Sequence, residues 1–537
     1  MKRIFTSVLL LSLGYTYAQT YDRVTLLKDI NMGGPSSTQQ PTVFNGKFYF
    51  TADDGIHDAE LWASDGTEAG TLLVKDINPL GDASITNLTE VNGKLVFSAY
   101  DEAHGIELWV TDGTEEGTVV LMDINPGAEN SVPLFFQRVG DKVYFQADNG
   151  TDGTELWATD GTAAGTLMLL NINPSTNPFP ENNSDPYGFI EYNGKAYFQA
   201  NDGTNGMELW VTDGTTAGTY MLKDIFAAGD SYPRSFKVYN NLLYFRADDE
   251  RGDEIWVTDG TAEGTVLFAD INTAEGDGSS VNEFTEVNGS LFFRARNAET
   301  GPELWITDGT VAGTHIVKDI LPGEEGSFPG GLTAYNGKVY FQAMDANNDV
   351  ELWASDGTEA GTQLVKNIRL NNSSAPNDFF VYSNALYFTA QDGTNGRELW
   401  VTDGTEAGTI KPIQMAYGPD PLYYIPFFTI FNGELFFKAT YNGVDQEIYK
   451  LTSSTADLTN ALRNAAVVYP NPATNIINVQ LQNALVKEAA VFTLTGKKVL
   501  ESKGAQAINV TNLSKGVYFI KTTSDKNEVF YNKIVKE

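Results

Sequence analysis

Short runs in which apolar and polar residues alternate recur along residues 20–452, and turn residues separate them. In the unit around Trp109, an Asn-Gly turn at Asn92 precedes one run, and an Asp-Gly-Thr loop at Asp112 follows another. Alternation with period two between such turns is typical of β-hairpins. The pattern therefore predicts four strands in each unit, and in this unit they are 85–91, 94–99, 107–111 and 118–124.

The unit repeats along the chain with little change. A ninth, altered copy of its Glu-Leu-Trp segment is Glu447-Ile448-Tyr449. Four short strands in each unit of this length predict a β-propeller. All eight tryptophans lie in copies of the segment, 46 to 53 residues apart: Trp62, Trp109, Trp157, Trp210, Trp256, Trp305, Trp353 and Trp400.

The number of units predicts nine blades, and eight blades with an irregular extra unit is the alternative. Residues 22–31 match the fourth strand of a unit alone, and the ninth unit stops after its third strand. We therefore expect an N-terminal strand to complete the ninth blade and close the propeller, because closure removes exposed sheet edges. The predicted fold is all-β, with a large propeller over residues 19–452 and a small β-sandwich over residues 465–537.

The N-terminal residues have the pattern of a secretory signal peptide. Lys2 and Arg3 precede an apolar run at 8–13, and Ala18 and Gln19 flank the predicted cleavage site. Residues 1–18 are thus predicted to be removed. No other stretch approaches the ~18 apolar residues of a membrane-spanning helix, so the sequence predicts no transmembrane segment. A polar linker is predicted at 453–464.

Three motifs follow one another near the C-terminus: Tyr469-Pro470-Asn471-Pro472-Ala473, Leu494-Thr495-Gly496-Lys497-Lys498 and Leu513-Ser514-Lys515-Gly516-Val517-Tyr518. With these motifs, residues 465–537 resemble the type A sorting domain of the type IX secretion system of Bacteroidetes. The resemblance implies the type IX secretion machinery as a partner and a protein that is secreted or held at the outer cell surface. The repeats resemble the ELWxxDGT repeat of secreted bacterial proteins, which implies no particular activity.

The chain is acidic, with 70 Asp and Glu against 35 Lys and Arg and a formal net charge of −35. Clusters of Lys and Arg bind phosphate groups, so this charge argues against nucleic acid or anionic lipid as a partner. The chain has no cysteine, which excludes disulfides, thiol catalysis and Cys-ligated zinc. We therefore expect core packing and closure of the fold to hold this exported chain together.

The residues that recur in every unit are interpreted as structural. The Trp lies two residues after a Glu on the same strand face, and we expect it to pack between blades. The Asp of each Asp-Gly-Thr loop is expected to accept backbone amides of its own turn, with metal binding as the alternative. These aspartates are Asp65, Asp112, Asp160, Asp213, Asp259, Asp308, Asp356 and Asp403.

The connections between blades and the hairpins between second and third strands share one end of the sheets, which we call the loop face. Both vary from unit to unit, and a binding surface shows such variation, so we expect any ligand there. Exposed aromatic residues are expected at Phe135, Phe136, Tyr423 and Tyr424. Acidic hairpins such as 148–153 are interpreted as solvated turns, although oxygen-rich loops of this kind leave Ca²⁺ binding open.

The sequence singles out no catalytic, cofactor-binding or metal-ligating residue. His57 and His104 lie in equivalent hairpins, His315 lies in a fourth strand, and no nucleophile or phosphate-loop motif occurs. We therefore predict a non-catalytic recognition or adhesion protein whose ligand is an unidentified extracellular glycan or protein. The alternatives are a carbohydrate-active hydrolase or lyase that uses carboxylates, and a structural coat protein.

Overall fold

A computed structural model describes residues 23–39, 41–175, 182–274, 276–394, 396–412, 427–441, 444–452, 467–469, 473–481, 485–493, 497–504, 507–525 and 529–537. The predicted signal peptide with Ala18 and Gln19, the predicted linker, Tyr423 and Tyr424 lie outside these ranges. Two compact units are present, the first holding Val24–Leu451 and the second chiefly Thr452–Glu537. Within the described ranges, no helix has the length and apolarity to cross a membrane.

Nine antiparallel sheets account for the strands described in the first unit, and we number them 1 to 9 along the chain. Their first strands are β2 (Thr42–Phe44), β6 (Thr86–Val91), β10 (Leu134–Val139), β14 (Tyr187–Tyr192), β18 (Arg234–Tyr239), β22 (Asn282–Val287), β26 (Gly330–Tyr335), β30 (Asn377–Tyr382) and β33 (Phe428–Phe431). Their second strands are β3 (Lys47–Asp53), β7 (Lys94–Asp101), β11 (Lys142–Asp148), β15 (Lys195–Asn201), β19 (Leu242–Asp249), β23 (Ser290–Asn297), β27 (Lys338–Met344), β31 (Ala385–Gln391) and β34 (Glu434–Tyr441). Their third strands are β4 (Ala59–Ser64), β8 (Gly105–Thr111), β12 (Thr154–Thr159), β16 (Met207–Thr212), β20 (Gly252–Thr258), β24 (Gly301–Thr307), β28 (Val350–Ser355), β32 (Arg397–Thr402) and β35 (Val444–Thr452). The fourth strands of sheets 1 to 7 are β5 (Leu72–Lys75), β9 (Val119–Met122), β13 (Leu167–Leu170), β17 (Tyr220–Lys223), β21 (Val266–Ala269), β25 (His315–Lys318) and β29 (Gln363–Lys366).

Sheets 1 to 7 each consist of four consecutive antiparallel strands, like propeller blades, as the sequence predicts. Sheet 8 departs from this prediction. Among the residues described there, the fourth strand is reduced to one bridge between Val401 and Ile410. Pro412 follows two residues later, and a proline offers no N–H group for a strand ladder.

Sheet 9 combines the two ends of the repeat region. β1 (Arg23–Leu26) lies beside β35, and β34 and β33 follow in that order. The N–H of Leu27 donates to the carbonyl of Ile448 at 2.9 Å. β1 thus occupies the position that the fourth strand has in the other sheets, where the sequence predicts it.

Buried side chains of the second and third strands fill the space between successive sheets. Trp109 of sheet 2 packs in one cluster with Tyr49 and Leu61 of sheet 1. Leu108 packs in another cluster with Phe145 of sheet 3. All eight tryptophans are buried, at 4–9% exposure. The tryptophans are therefore packing elements between sheets, as the alternation along the third strand predicts.

Sheet 9 contacts both sheet 1 and sheet 8. Phe431 of sheet 9 shares a buried cluster with Phe48 and Trp62 of sheet 1. On the other side, the rings of Phe380 in sheet 8 and Phe428 in sheet 9 stack with centroids 4.1 Å apart. The first and last sheets along the chain are therefore packed against each other.

The second unit contains two antiparallel sheets. One consists of β36 (Val467–Tyr469), β37 (Ile476–Gln480) and β40 (Ala507–Asn509), and the other of β39 (Lys498–Lys503), β38 (Val486–Thr493), β41 (Gly516–Ser524) and β42 (Val529–Lys536). Ile477 and Val479 of the smaller sheet share a buried core with Val491 and Ile520 of the larger one. Two sheets around one core agree with the small sandwich that the sequence predicts.

Candidate binding face

The Asp-Gly-Thr loops, at the end of the sheets opposite the loop face, are stabilised from within. Asp65 Oδ1 accepts the Thr67 N–H at 2.9 Å and the Thr67 hydroxyl at 2.6 Å. These bonds from Thr67 hold the pKa of the Asp65 carboxyl below its ordinary value. A Cβ at Gly70 would lie 2.0 Å from Asp65 Oδ1, so a larger residue does not fit. The same two bonds recur at Asp112, Asp160, Asp213, Asp259, Asp308, Asp356 and Asp403, so these aspartates stabilise turns.

The acidic hairpins of the loop face use their carboxylates in a similar way. Asp54 accepts the N–H groups of Ile56 and His57, and His57 Nδ1 lies 2.9 Å from Asp54 Oδ2. His104 Nδ1 lies 2.9 Å from Asp101 in the equivalent hairpin, so each histidine is paired within its own loop. No three His, Asp or Glu side chains gather into a metal site in the part of the chain that the structure describes. The Ca²⁺ binding that the sequence leaves open gains no support from these hairpins.

The Glu of each Glu-Leu-Trp segment ties its third strand to the connection that leads to the next sheet. Glu107 is fully buried, and its Oε2 accepts the N–H of Ile124 at 2.7 Å and the hydroxyl of Ser131 at 2.6 Å. Its Oε1 accepts the N–H groups of Asn125 and Ser131 at 3.3 and 3.0 Å. We call this arrangement the Glu–Ser clamp. It recurs between Glu155 and Ser184, Glu208 and Ser231, Glu254 and Ser279, Glu303 and Ser327, Glu351 and Ser374, and Glu447 and Ser36.

Two sheets vary the clamp. In sheet 1, Ala83 replaces the serine, and Glu60 accepts the N–H groups of Ile77 and Asn78. In sheet 8, the Lys411 ammonium donates to Glu398 Oε2 at 2.7 Å. The buried carboxylate is thus retained in sheet 1, where alanine replaces the serine, and in sheet 8, where a lysine contacts it.

Burial raises the pKa of Glu107 to about 7, against the opposing effect of its hydrogen bonds from Ser131 and Ile124. Burial raises the pKa to about 7 also at Glu60, Glu155, Glu208, Glu254, Glu303 and Glu447. A raised carboxyl pKa often marks a catalytic acid. Here the shift follows from burial at a repeated position whose oxygens face the protein's own amides and hydroxyls, so it indicates a structural role.

We expect the protein to be less stable at pH 8 than at pH 5. A folded-state pKa of about 7, above the ordinary 4.5, contributes stability that is complete below 4.5 and is lost as the pH rises through 7. The turn aspartates act in the opposite direction: a lowered pKa contributes stability that is complete above 3.8 and is lost as the pH falls below it. Calorimetry at constant ionic strength should therefore give the highest unfolding temperature between about pH 4 and 5.

The variant Glu107→Gln serves as the control for this pH dependence. It removes one of the groups with a raised pKa, so it should lose less stability than the unmodified protein between pH 5 and pH 8. An unfolding temperature that rises from pH 5 to pH 8 would contradict the expectation.

The residue after the clamp serine, or after Ala83 in sheet 1, has a left-handed backbone in eight connections. We call these residues the display positions: Ser37 (φ 52°), Ser84 (φ 49°), Val132 (φ 46°), Asp185 (φ 43°), Tyr232 (φ 44°), Ser280 (φ 52°), Phe328 (φ 49°) and Ala375 (φ 46°). Outside glycine, this conformation costs about 1–3 kcal/mol and persists only when the surroundings hold it. The clamp fixes the residue before each display position. In five connections the residue after the display position is a proline.

The display positions carry different side chains from unit to unit, and most of these side chains are exposed. Val132, Tyr232 and Phe328 are 40%, 44% and 53% exposed. Asp185 and Ser84, also exposed, present a charge and a hydroxyl instead. The fold therefore repeats one backbone geometry and varies the side chain that this geometry presents to solvent.

The aromatic residues expected on the loop face divide into two groups. Phe135 is 41% exposed and its ring meets Tyr187 edge-on with centroids 4.6 Å apart, so this prediction is confirmed. The prediction for Phe136 is wrong, because its ring packs on buried Phe145 with centroids 5.1 Å apart. A β-bulge between Leu134 and Gln137, with Phe135 at φ 60°, interrupts the pairing of β10 with β11 and leaves Phe136 facing the core.

A cleft of about 740 Å³ opens on the loop face, between sheets 5 and 6 and the connection to sheet 7. The display residues Ser280 and Phe328 line it, together with Arg246, Arg294 and Arg296. Its volume lies within the ~300–1,000 Å³ that is common for small-ligand sites. The cleft thus brings two display positions together with a group of arginines.

Comparison with known proteins identifies the second unit. Residues 467–537 match the family described as the secretion system C-terminal sorting domain. This segment is a type IX secretion sorting domain. The protein is therefore secreted or displayed at the cell surface, and the secretion machinery is the partner that the sorting domain implies.

Other comparisons give weaker similarities. Over 95 residues the chain is 27% identical to the ulvan lyase NLR42 of Nonlabens ulvanivorans. This match covers 17% of this chain and 18% of that enzyme. A prolyl endopeptidase structure aligns over 67% of this chain and 54% of its own, with 11% identity and a TM-score of 0.36. A puromycin hydrolase structure aligns over 66% and 58%, with 13% identity and a TM-score of 0.34. The chain thus spans little more than half of these structures and less than a fifth of the lyase.

Proposed function

We propose that the nine sheets close into a nine-bladed β-propeller, which the sorting domain delivers to the outer surface as a non-catalytic recognition or adhesion module. The pairing of β1 with β35 supports closure, as do the contacts of sheet 9 with sheets 1 and 8. The proposal includes a signal peptide at residues 1–18, cleaved between Ala18 and Gln19, and a linker at 453–464. It also includes the ELWxxDGT character of the repeats.

The display positions are the observation that carries the recognition function. Eight connections hold a non-glycine residue in a strained conformation, and the clamp that holds it is built from buried, repeated residues. Strain of this kind is concentrated at functional sites, because it survives only where the surrounding structure fixes it. The strained backbone holds the side chains of the display positions in place. These side chains are the ones that differ between units, as is expected of a surface that binds one specific ligand.

A carbohydrate-active hydrolase or lyase is the second candidate, and the local similarity to an ulvan lyase is the observation that favours it. Such an enzyme requires carboxylates that reach the substrate. The clamp carboxyl groups have raised pKa values, but they are buried. Their hydrogen bonds go to residues of the connection that leads to the next sheet. Incubating any glycan that binds with the secreted protein and measuring chain shortening distinguishes the two functions, since only an enzyme releases shorter products.

The secreted protein should bind at least one ligand on glycan and protein arrays, probed with and without Ca²⁺. We expect the triple variant Val132→Ser, Tyr232→Ser, Phe328→Ser to lose that binding. Serine occupies three other display positions, so these changes fit the local backbone. The signal should fall at least tenfold, because the variant removes two exposed aromatic side chains and one exposed aliphatic side chain, and a few large anchors contribute most of the affinity at binding surfaces.

The matched control is Val119→Ser, Tyr220→Ser, Val266→Ser on the fourth strands. These residues are 44%, 42% and 44% exposed, close to the display residues, but they lie away from the connections. The control should bind like the unmodified protein. A null result on both arrays together with self-association in solution would instead support the coat protein and remove the recognition function.

A further inference from the structure

We infer that the cleft between sheets 5 and 6 binds an acidic sugar unit of an extracellular glycan, with Arg294 as the residue that holds its anionic group. The inference rests on the proposed recognition function and names the ligand class for one part of the loop face. Its basis is a concentration of arginines in a strongly acidic chain, of which Arg294 is the one in the cleft without a carboxylate partner among the described residues.

Arginines are rare in this protein and gather around the cleft. Of its eleven arginines, five lie between residues 234 and 296: Arg234, Arg246, Arg251, Arg294 and Arg296. Arg294 occupies a position of the second strand that is Gln146, Gln199 and Gln342 in sheets 3, 4 and 7. The fold therefore does not require a charge at this position.

The arginines of the cleft differ in their partners. Arg246 forms an ion pair with Asp253, and Arg296 forms one with Asp277. Arg294 Nη1 donates to the carbonyl of Pro329 at 3.1 Å, and among the described residues Arg294 has no carboxylate partner. Its guanidinium is thus oriented by one backbone bond and keeps N–H donors for an acceptor from outside. A planar guanidinium suits a carboxylate or sulfate ester, because it donates two parallel hydrogen bonds.

The rest of the lining favours a sugar. Phe328 offers an exposed aromatic face on which a sugar ring can stack, and Ser280 and Asn297 offer a hydroxyl and an amide for its hydroxyl groups. Glu324 and Glu325 also line the cleft and are exposed, which disfavours a second anionic group nearby. The site therefore fits one acidic group flanked by neutral hydroxyls.

The net charge of the whole chain restricts the class of acidic ligands further. With a formal charge of −35, the protein repels a densely charged polyanion beyond the immediate range of the arginines. Charges in solution are screened over about 8 Å at physiological salt, so an acidic group that is isolated among neutral sugars escapes most of that repulsion. A glycan with one acidic sugar in each repeat meets this condition, whereas a poly-acidic peptide does not.

The test measures binding of the full secreted protein to a hexasaccharide in which glucuronic acid alternates with a neutral sugar. Arg294→Gln should weaken this binding at least tenfold, and Phe328→Ser should weaken it severalfold. Both replacements occur at equivalent positions of this chain, and equal unfolding temperatures would show that the variants are folded. The control Arg138→Gln removes the same charge from sheet 3 and should change the affinity less than twofold.

Two further probes complete the design. The carboxyl-reduced, neutral hexasaccharide should bind at least tenfold more weakly than the acidic one. A sulfate ester at the same position should bind in an Arg294-dependent manner if the site recognises the charge alone, and fail to bind if it recognises a carboxylate. Both outcomes support the inference and separate the two sources of the anionic group.

Two results would overturn it. If Arg294→Gln binds the acidic hexasaccharide as tightly as the unmodified protein, the cleft does not hold the anionic group. If a poly-glutamate peptide binds in an Arg294-dependent manner and the hexasaccharide does not, the ligand is a peptide. Neither result touches the recognition function, which fails only when the arrays show no ligand for any part of the loop face.

Discussion

Deleting residues 23–31 should lower the unfolding temperature of the full chain by about 10 °C and cause it to aggregate. The deletion removes β1 and the buried side chains of Leu27 and Ile30, which are 4% and 7% exposed. It also removes the Asn31 N–H that Glu447 accepts. Burial of each apolar side chain contributes about 1.5–3 kcal/mol and each lost hydrogen bond about 1 kcal/mol, so the cost is on the order of 5 kcal/mol or more. At roughly 2 °C per kcal/mol for a large domain, this corresponds to the stated shift.

The same deletion tests closure of the propeller. Without β1, the outer edge of β35 presents unpaired backbone groups, and such an edge pairs readily with another chain. The deletion should leave residues 1–22 in place so that export is unchanged. The point variant Leu27→Asp should act in the same direction, whereas Thr25→Asp, at an exposed position of the same strand, should unfold like the unmodified protein. A shortened protein that melts at the original temperature and stays monomeric would refute closure by β1.

Replacing one clamp carboxylate, as in Glu107→Ala, should cost about 3–5 kcal/mol of stability, which is exceptional for a single substitution. The change leaves the N–H groups of Ile124 and Asn125 without their acceptor, and the N–H and hydroxyl of Ser131 keep only the carbonyl of Ile106. Each buried donor that loses its partner costs about 1–3 kcal/mol, and water that enters the space left by the side chain offsets part of the sum.

Guanidinium denaturation followed by tryptophan fluorescence measures this cost. Glu107→Gln keeps one carbonyl acceptor and should fall between the alanine variant and the unmodified protein. Glu116→Ala removes an exposed carboxylate from the Asp-Gly-Thr loop of the same sheet and should stay within ~0.5 kcal/mol of the original. Limited proteolysis gives a second measurement, since loss of the clamp should expose the connection around Val132 to cleavage. Equal stability of Glu107→Ala and Glu116→Ala would contradict the structural role of the clamp.

The sequence predicts the strands, the packing role of the tryptophans and the turn role of the aspartates, because these depend on local order. Alternation with period two defines the faces of a strand, and Asp65 bonds to residues only two positions away. Phe136 and sheet 8 show the limits of counting units. Phe136 lies beside a bulge at Phe135 that no glycine or asparagine indicates, whereas Pro412 already interrupted the fourth strand of sheet 8.

The clamp was missed for a different reason. Apart from the Ser131 hydroxyl, the partners of Glu107 are backbone amides 17 to 24 residues further along, and a backbone amide has no side-chain signature. A repeated Ser-x-Pro segment was the available signal, as at Ser131 and Ser231. The display positions have even less signal in the sequence. Glycine or asparagine usually indicates a left-handed backbone, whereas three of these positions carry Val132, Tyr232 and Phe328.

The Glu–Ser clamp separates the buried residues that keep the fold stable from the exposed side chains that vary between units. The clamp fixes the connection from inside, so a change at a neighbouring display position alters the surface chemistry and leaves the framework as it was. A single codon change at a display position can therefore change one exposed side chain of the loop face. Exchange of whole units between copies can reshuffle such contacts while every strand keeps its register. The same design that makes the units nearly identical thus lets the surface diversify one residue at a time.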